Sequence, residues 1–378
     1  MRHRIFINSE FGALRGQNVL KQREPLGNTT VNVSAFRKKR FRLLAEIKAI
    51  VRKYGMPLRV LHCMHSIPGK AIDVMRRQAG TAYVRNVIAC GSVWLCPVCA
   101  SRIMVCRREE LNEAFRNNIH LLPVMVTVTL QHHRGDKLHV LLDALNDALR
   151  KLKAGRWWQK FEKRYGVVAH VSSLEIRFSQ KTGWHPHKHI LLFLDVQADE
   201  LNIQAMKEEL SERYTALLAR SGRYASEFHS IDVSIGNEAA GSYIAKWGLC
   251  DELVKANLKE SRFENDSFSP FQLADLAGIG IKWAERAFIE YARVTYRKKQ
   301  ITWAHHSRQK LGIGSDKSDE QLAQETEMPD DELIVSLSRE EWAQVLRHGV
   351  IAELLDVAEA GGAPEVLAFI AGLSPPGG

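Results

Sequence analysis

Apolar and polar positions alternate along the chain in blocks short enough to read as single elements. Leu122 to Leu130 (LPVMVTVTL) is apolar and β-branched and predicts a buried strand. Leu138 to Leu152 repeats its apolar residues at helical spacing and predicts a helix with one apolar face. Val167 to Phe178 and His187 to Leu194 predict two strands joined by a polar turn containing Gly183. Ala198 to Arg220 then predicts a helix, Phe228 to Ile235 a strand and Glu238 to Leu249 a helix. Strand, helix, strand, strand, helix, strand is the split βαβ order, so an α+β fold is expected: an antiparallel sheet with helices on one face. Many unrelated functions share that topology, and it decides none of them.

The flanks carry weaker patterns. An Arg/Lys cluster, Arg37 to Arg40, precedes a helix-like stretch from Phe41 to Lys53, and a second helix is expected from Ser101 to Asn117. Residues 270 to 310 read as helical and basic, ending in Tyr296-Arg-Lys-Lys299. A polar, acidic linker over 315 to 332 leads to a last helical module, where Ser338 and Glu341 have capping-box spacing. The expected division is a basic N-terminal segment (1–59), a cysteine segment with its basic helix (60–117), a core (118–255), a basic helical extension (256–314) and an acidic linker with a helical tail (315–378). No internal repeat interrupts this order.

Composition narrows the class. The 378 residues, 45% hydrophobic and 25% charged, suffice for a core that folds unaided. The apolar runs are too short to span a bilayer, and no signal-peptide core follows Met1, so a cytoplasmic protein without membrane association is expected. The net charge of +10 is unevenly spread: from Leu311 onward three Lys/Arg face fourteen Asp/Glu, leaving 50 against 29 in the first 310 residues. A body with that excess suits a polyanion, with counterion release supplying much of the affinity.

Six cysteines in a chain with no export signal read as thiols or metal ligands. Cys96 and Cys99 form a C-x-x-C knuckle, Cys90 lies six residues before it, and Cys63 stands well upstream. Four thiolates close a tetrahedral structural Zn2+ site, with His62 or His65 as replacements for Cys63. The site would hold the helix carrying Arg102, Arg107 and Arg108, candidate DNA contacts together with Arg297, Lys298 and Lys299. Cys106 and Cys250 read as core residues.

The sharpest signal is Gly183-Trp-His-Pro-His-Lys-His-Ile-Leu-Leu-Phe-Leu194. Two residues apart on a strand, His187 and His189 share a face and can grip one divalent cation, with Glu175 of the preceding strand opposite either one. Such a set leaves coordination positions open for a substrate oxygen. His185 has the same parity and is a reserve ligand or DNA contact. Further on, Tyr243 and Lys246 stand one helical turn apart, so an ammonium can favour a phenolate whose unperturbed pKa lies near ~10. Glu238, five residues before Tyr243, is a candidate base.

These stretches (CGSVWLCPVCASRI, VMVTVTL, the Glu175 strand, WHPHKHILLF, GSYIAKW and YRKKQITWAHHSRQKLGIG) resemble the HUH-type replication initiators of rolling-circle plasmids, over roughly residues 60 to 315. The resemblance implies a five-stranded antiparallel palm and nicking of one strand at a plasmid origin. A 5′-phosphotyrosine and a free 3′-hydroxyl would result. It implies His187, His189 and Glu175 as ligands of Mg2+ or Mn2+, Tyr243 as nucleophile, Lys246 as the lysine after it, and host helicase and polymerase as partners. Lys188 departs from the family's apolar residue between the histidines, and the spacing of Glu238 leaves a release role open. A single-strand transposase or mobilisation relaxase would use the same chemistry. A zinc-dependent regulator would bind without cutting, and a metallohydrolase would cut without an adduct.

Overall fold

The structure is a computed structural model and describes residues 33–226, 230–235, 266–324 and 331–373. Helix α1 (Val33–Lys53) buries Leu43, Leu44, Ile47, Ile50 and Val51, a stripe at helical spacing, and ends on Arg52 and Lys53, which suit the negative end of its dipole. Strands β1 (Ile72–Arg76) and β2 (Ala82–Arg85) form a hairpin. Helix α2 (Pro97–Asn117) starts four residues before the expected Ser101, because Cys96 caps it and Pro97 takes the first turn, where a missing N–H costs nothing.

The central sheet follows. Strand β3 (Leu122–Val128) leads to α3 (Leu138–Leu152) and α4 (Gly155–Arg164), then to the long hairpin β4 (Val167–Ser179) and β5 (Gly183–Leu194). Helix α5 (Ile203–Ala219) returns the chain to β6 (Ile231–Ile235). Beyond it lie α6 (Pro270–Gly278), α7 (Lys282–Thr295) and the short β7 (Ile301–Trp303). The strand order is β6-β3-β5-β4-β7, every neighbour antiparallel. Its first four strands have the split βαβ order expected from the sequence. Strand β7 corrects the expectation of unbroken helix over 270–310: paired to β4 through Val171, Ser172 and Ser173, it closes that edge.

The chain then passes through α8 (Ser307–Lys310) and α9 (Asp319–Gln324) to β8 (Glu332–Leu337), α10 (Arg339–His348), α11 (Ile351–Ala360) and α12 (Ala363–Ala371). Ser338 and Glu341 make the reciprocal capping box at α10. This end of the chain is joined to its beginning. Strand β8 pairs with β1 in a second sheet, β2-β1-β8, and α11 packs on α1, where Asp356 and Glu359 bind Arg37.

Side chains on the two faces of the central sheet meet different neighbours. On one face Trp184 stacks on Tyr291 of α7, and His170 meets Trp158 of α4 edge-on. On the other, Leu191 and Phe193 continue the line of His185, His187 and His189, and Phe115 of α2 packs on Phe193. The histidines are therefore rooted in core at one end of their own face. No helix among the described residues is long and apolar enough to cross a membrane.

Candidate functional site

The register sets Glu175 opposite His187 and Ser173 opposite His189, while Thr127 of β3 faces His189 from the other side. Glu175 and His189, 7% and 4% exposed, meet at 3.0 Å between Oε2 and Nε2. The remaining nitrogen of His189 lies 3.1 Å from the Thr127 hydroxyl, which fixes the ring's orientation. His187 and His189 rings are near parallel with centroids 6.2 Å apart, and Nδ1 of His187 is buried without a hydrogen-bond partner among the described residues. Burial first, and then the neighbouring His185, pushes the His187 pKa down to about 3, so a neutral imidazole, the metal-binding form, faces the site.

His185 extends the row: its ring lies 3.9 Å from that of His187, and its Nε2 is 3.0 Å from the Thr129 hydroxyl. His132, on the loop after β3, stacks on it at 4.4 Å. That loop is held close to the β4–β5 turn: a Cβ on Gly183, whose φ is +83°, would lie 3.0 Å from the His133 carbonyl oxygen. Sequence reading missed Thr127, Thr129 and His132. The signal for the two threonines is their shared parity on β3, legible only once β3 is known to border β5. Lys188 points to the opposite face and is half-buried, as its parity requires, so it leaves the histidine face undisturbed.

The cysteines form a second cluster. Cys63 Sγ is 3.5 Å from Cys96 and 3.6 Å from Cys99, and Cys90 is 3.7 Å from Cys99. A regular tetrahedron with metal–sulfur bonds near ~2.3 Å has edges of about 3.8 Å, so these spacings fit a metal such as zinc. All four sulfurs are buried and lie within 4.8 Å of one another. Among the described residues, no other group of three or more His, Cys, Asp or Glu side chains converges so tightly; Glu175, His187 and His189 do not. Hydrogen bonds from the other three thiols draw the Cys63 thiol far down, while burial holds Cys96 well up. Four sulfurs packed this closely could all be thiolates only around a cation that offsets their charge. Cys63 takes the fourth position, and His62 and His65 stand edge to face beside it instead of replacing it. Cys106 is half-buried against the core.

The expected DNA contacts divide. Arg107 is 4% exposed and binds Glu110, Asp316, Asp319 and the Lys317 carbonyl. This corrects its reading as a DNA contact: it is an internal tie between α2 and the acidic segment before α9. Arg102 is half-buried, with Nη1 3.4 Å from the Ala323 carbonyl, and Arg108 is half-buried on the same helix. Arg297 is exposed over the Tyr296 ring in a left-handed conformation, Lys298 is half-buried, and Lys299 pairs with Asp316 at 3.2 Å. Glu238, Tyr243, Lys246 and Cys250 lie outside the described residues.

Residues 82–267, from β2 to just before α6, match the model of a family described as replication protein. Through this segment the chain is similar to that replication protein family. The match takes in Cys90, Cys96, Cys99, the central sheet with Glu175, His187 and His189, and the segment holding Tyr243; Cys63 lies upstream of it. A "Protein rep" of Streptomyces lividans is 26% identical over 77% of this chain and 80% of its own length. A "Neomycin resistance protein" of Streptomyces cyanogenus is 26% identical over 34% of this chain and 35% of its own length. No solved structure matches the chain significantly.

Proposed function

We propose that the chain is a plasmid replication initiator that nicks one DNA strand at its origin and holds the cut end on a tyrosine. The observation that carries this reading is the buried meeting of Glu175 and His189 beside His187, on adjacent strands of the segment that matches the replication protein family. Glu175, His187 and His189 supply one carboxylate and two imidazoles, donors for a divalent cation such as Mn2+ or Mg2+ around which the three would have to draw together, since they do not converge in this structure. The bound cation would polarise a non-bridging phosphate oxygen and offset charge in the transition state. The HUH palm is the family architecture to which the β6-β3-β5-β4-β7 sheet corresponds in this reading.

The chemistry then falls to the chain's own groups. The Tyr243 phenolate oxygen attacks the scissile phosphorus, the bond to the 3′ oxygen breaks, and that oxygen leaves as a hydroxyl after taking a proton. Lys246 favours the phenolate, and Glu238 is the candidate base for release. The phosphotyrosine ester keeps the bond energy for rejoining. The four thiols would hold structural Zn2+, fixing α2 against the N-terminal segment. The free 3′-hydroxyl suits extension by a host polymerase, with a host helicase opening the duplex. Incubating the protein with single-stranded origin DNA and Mn2+, followed by denaturing electrophoresis, should give a protein band shifted by covalent DNA. Cutting without a shifted band would favour a hydrolase, and binding without cutting a regulator.

A further inference from the structure

Helix α1, the β1–β2 hairpin and α2, with Leu355 of α11, line an open cavity of about 300 Å³. Arg37, Arg40, Arg77 and Arg102 line it, and among the described residues no Asp or Glu does. Arg37 is answered from outside the lining by Asp356 and Glu359. The other three have only neutral partners in the contacts of the described residues. Arg40 donates to the Ser101 hydroxyl at 2.6 Å, Arg102 reaches the Ala323 carbonyl at 3.4 Å, and Arg77 lies over the Tyr83 ring at 5.2 Å. Burial first, and then Arg37 and Arg102, lowers the Arg40 pKa.

Three guanidinium groups face one cavity, while the nearest carboxylates, Asp331 on the Tyr83 hydroxyl and Glu359 on the Ala82 N–H, lie outside its lining, so the cavity itself offers an anion three donors. Their planar forks match phosphate oxygens. A second cavity, of about 290 Å³, shares Arg40 and Ser101 with the first. It is lined by Phe36, Phe271 and Leu43, and Phe36 is 58% exposed. A cationic cavity next to an aromatic one has the layout of a nucleotide unit, phosphate beside base.

We propose that Arg40, Arg77 and Arg102 bind a phosphodiester of a DNA strand, with the neighbouring base lodged against Phe36 and Phe271. The proposal rests on DNA being the substrate and adds a holding site outside the histidine face. Arg40 belongs to the basic cluster Arg37 to Arg40, and only in the folded chain do α1 and the β1–β2 turn with Arg77 meet Arg102 of α2.

The test is fluorescence anisotropy with a labelled single-stranded origin oligonucleotide, on full-length zinc-loaded protein over a series of salt concentrations, with divalent metal chelated to prevent cutting. Arg77→Gln with Arg102→Gln should weaken binding and flatten the dependence of log affinity on log salt by about 0.7 for each phosphate no longer neutralised. Phe36→Ala should lower affinity about tenfold and leave that slope in place, because stacking releases no counterions. Unchanged affinity and slope in variants that keep the wild-type melting temperature would overturn the site. If the double variant does not fold, Arg77→Gln alone, at an exposed side chain, decides the same question. Inorganic phosphate raising the melting temperature of wild type only, with DNA binding equal in both, would overturn the DNA assignment. No adduct is read here, so a protein that binds through this site yet never forms one overturns the nicking proposal alone.

Discussion

Replacing Cys63 by serine removes one corner of the thiol tetrahedron and tests whether a metal holds it. Cys63 joins the chain before β1 to the knuckle at the start of α2, 33 residues away from Cys96. Its sulfur, 0% exposed, is 3.5 and 3.6 Å from Cys96 and Cys99, so a serine oxygen in its place offers a poor ligand in a site with no room for water. Structural zinc contributes about 10–16 kcal/mol to folding in small domains. If losing one thiolate forfeits only about a third of that, some 4 kcal/mol, the melting temperature falls by about 8–16 °C on the scale for domains of a few hundred residues. The assay is metal content of purified protein by mass spectrometry beside differential scanning calorimetry. Wild type should hold about one zinc per chain, and Cys63→Ser should hold it loosely or not at all. A variant retaining a full, chelator-resistant zinc at the wild-type melting temperature would refute the four-thiol assignment.

Two further outcomes follow from the same geometry. Arg107→Gln removes a buried guanidinium shared by Glu110, Asp319 and the exposed Asp316, of which Glu110 keeps Arg308 and Asp316 keeps Lys299, and should cost about 1.5–3 kcal/mol in denaturant unfolding, with no change in the salt dependence of DNA binding; a fall in that slope at unchanged stability would restore the residue as a DNA contact. His187→Ala with His189→Ala should abolish adduct formation and spare most DNA affinity, which phosphate contacts from Arg and Lys supply; undiminished adduct in Mn2+ would remove the histidines from the chemistry.

How much was legible in the sequence followed the range of the interactions. Helix α3 matches its expected bounds, Leu138 to Leu152, because eight buried positions recur at helical spacing. The β4–β5 hairpin and its histidine face were readable because parity on a strand is a local property, and Glu175 fell opposite one of the two expected histidines. The pairing of β1 with β8 was not readable: Asp73 and Ser336 are hydrogen-bonded neighbours 263 residues apart, and no local pattern encodes such a contact. Strand β7 has three residues, too few to show a period of two. Arg107 reads as one more charge on a basic helix, and only the docking of Asp316 and Asp319 onto α2 shows that it is internal. The acidic linker and helical tail gave no sign of their partners for the same reason: Asp356 and Glu332 meet Arg37 and Arg76, more than 250 residues away.

The claim that the chain joins itself to DNA through a tyrosine is tested most directly by Tyr243→Phe. The change removes one oxygen, so folding, zinc content and DNA affinity should be those of wild type. With single-stranded origin DNA and Mn2+, wild type should give a covalent protein–DNA band that survives denaturation, and the variant none. The same band at wild-type intensity in Tyr243→Phe would contradict the account.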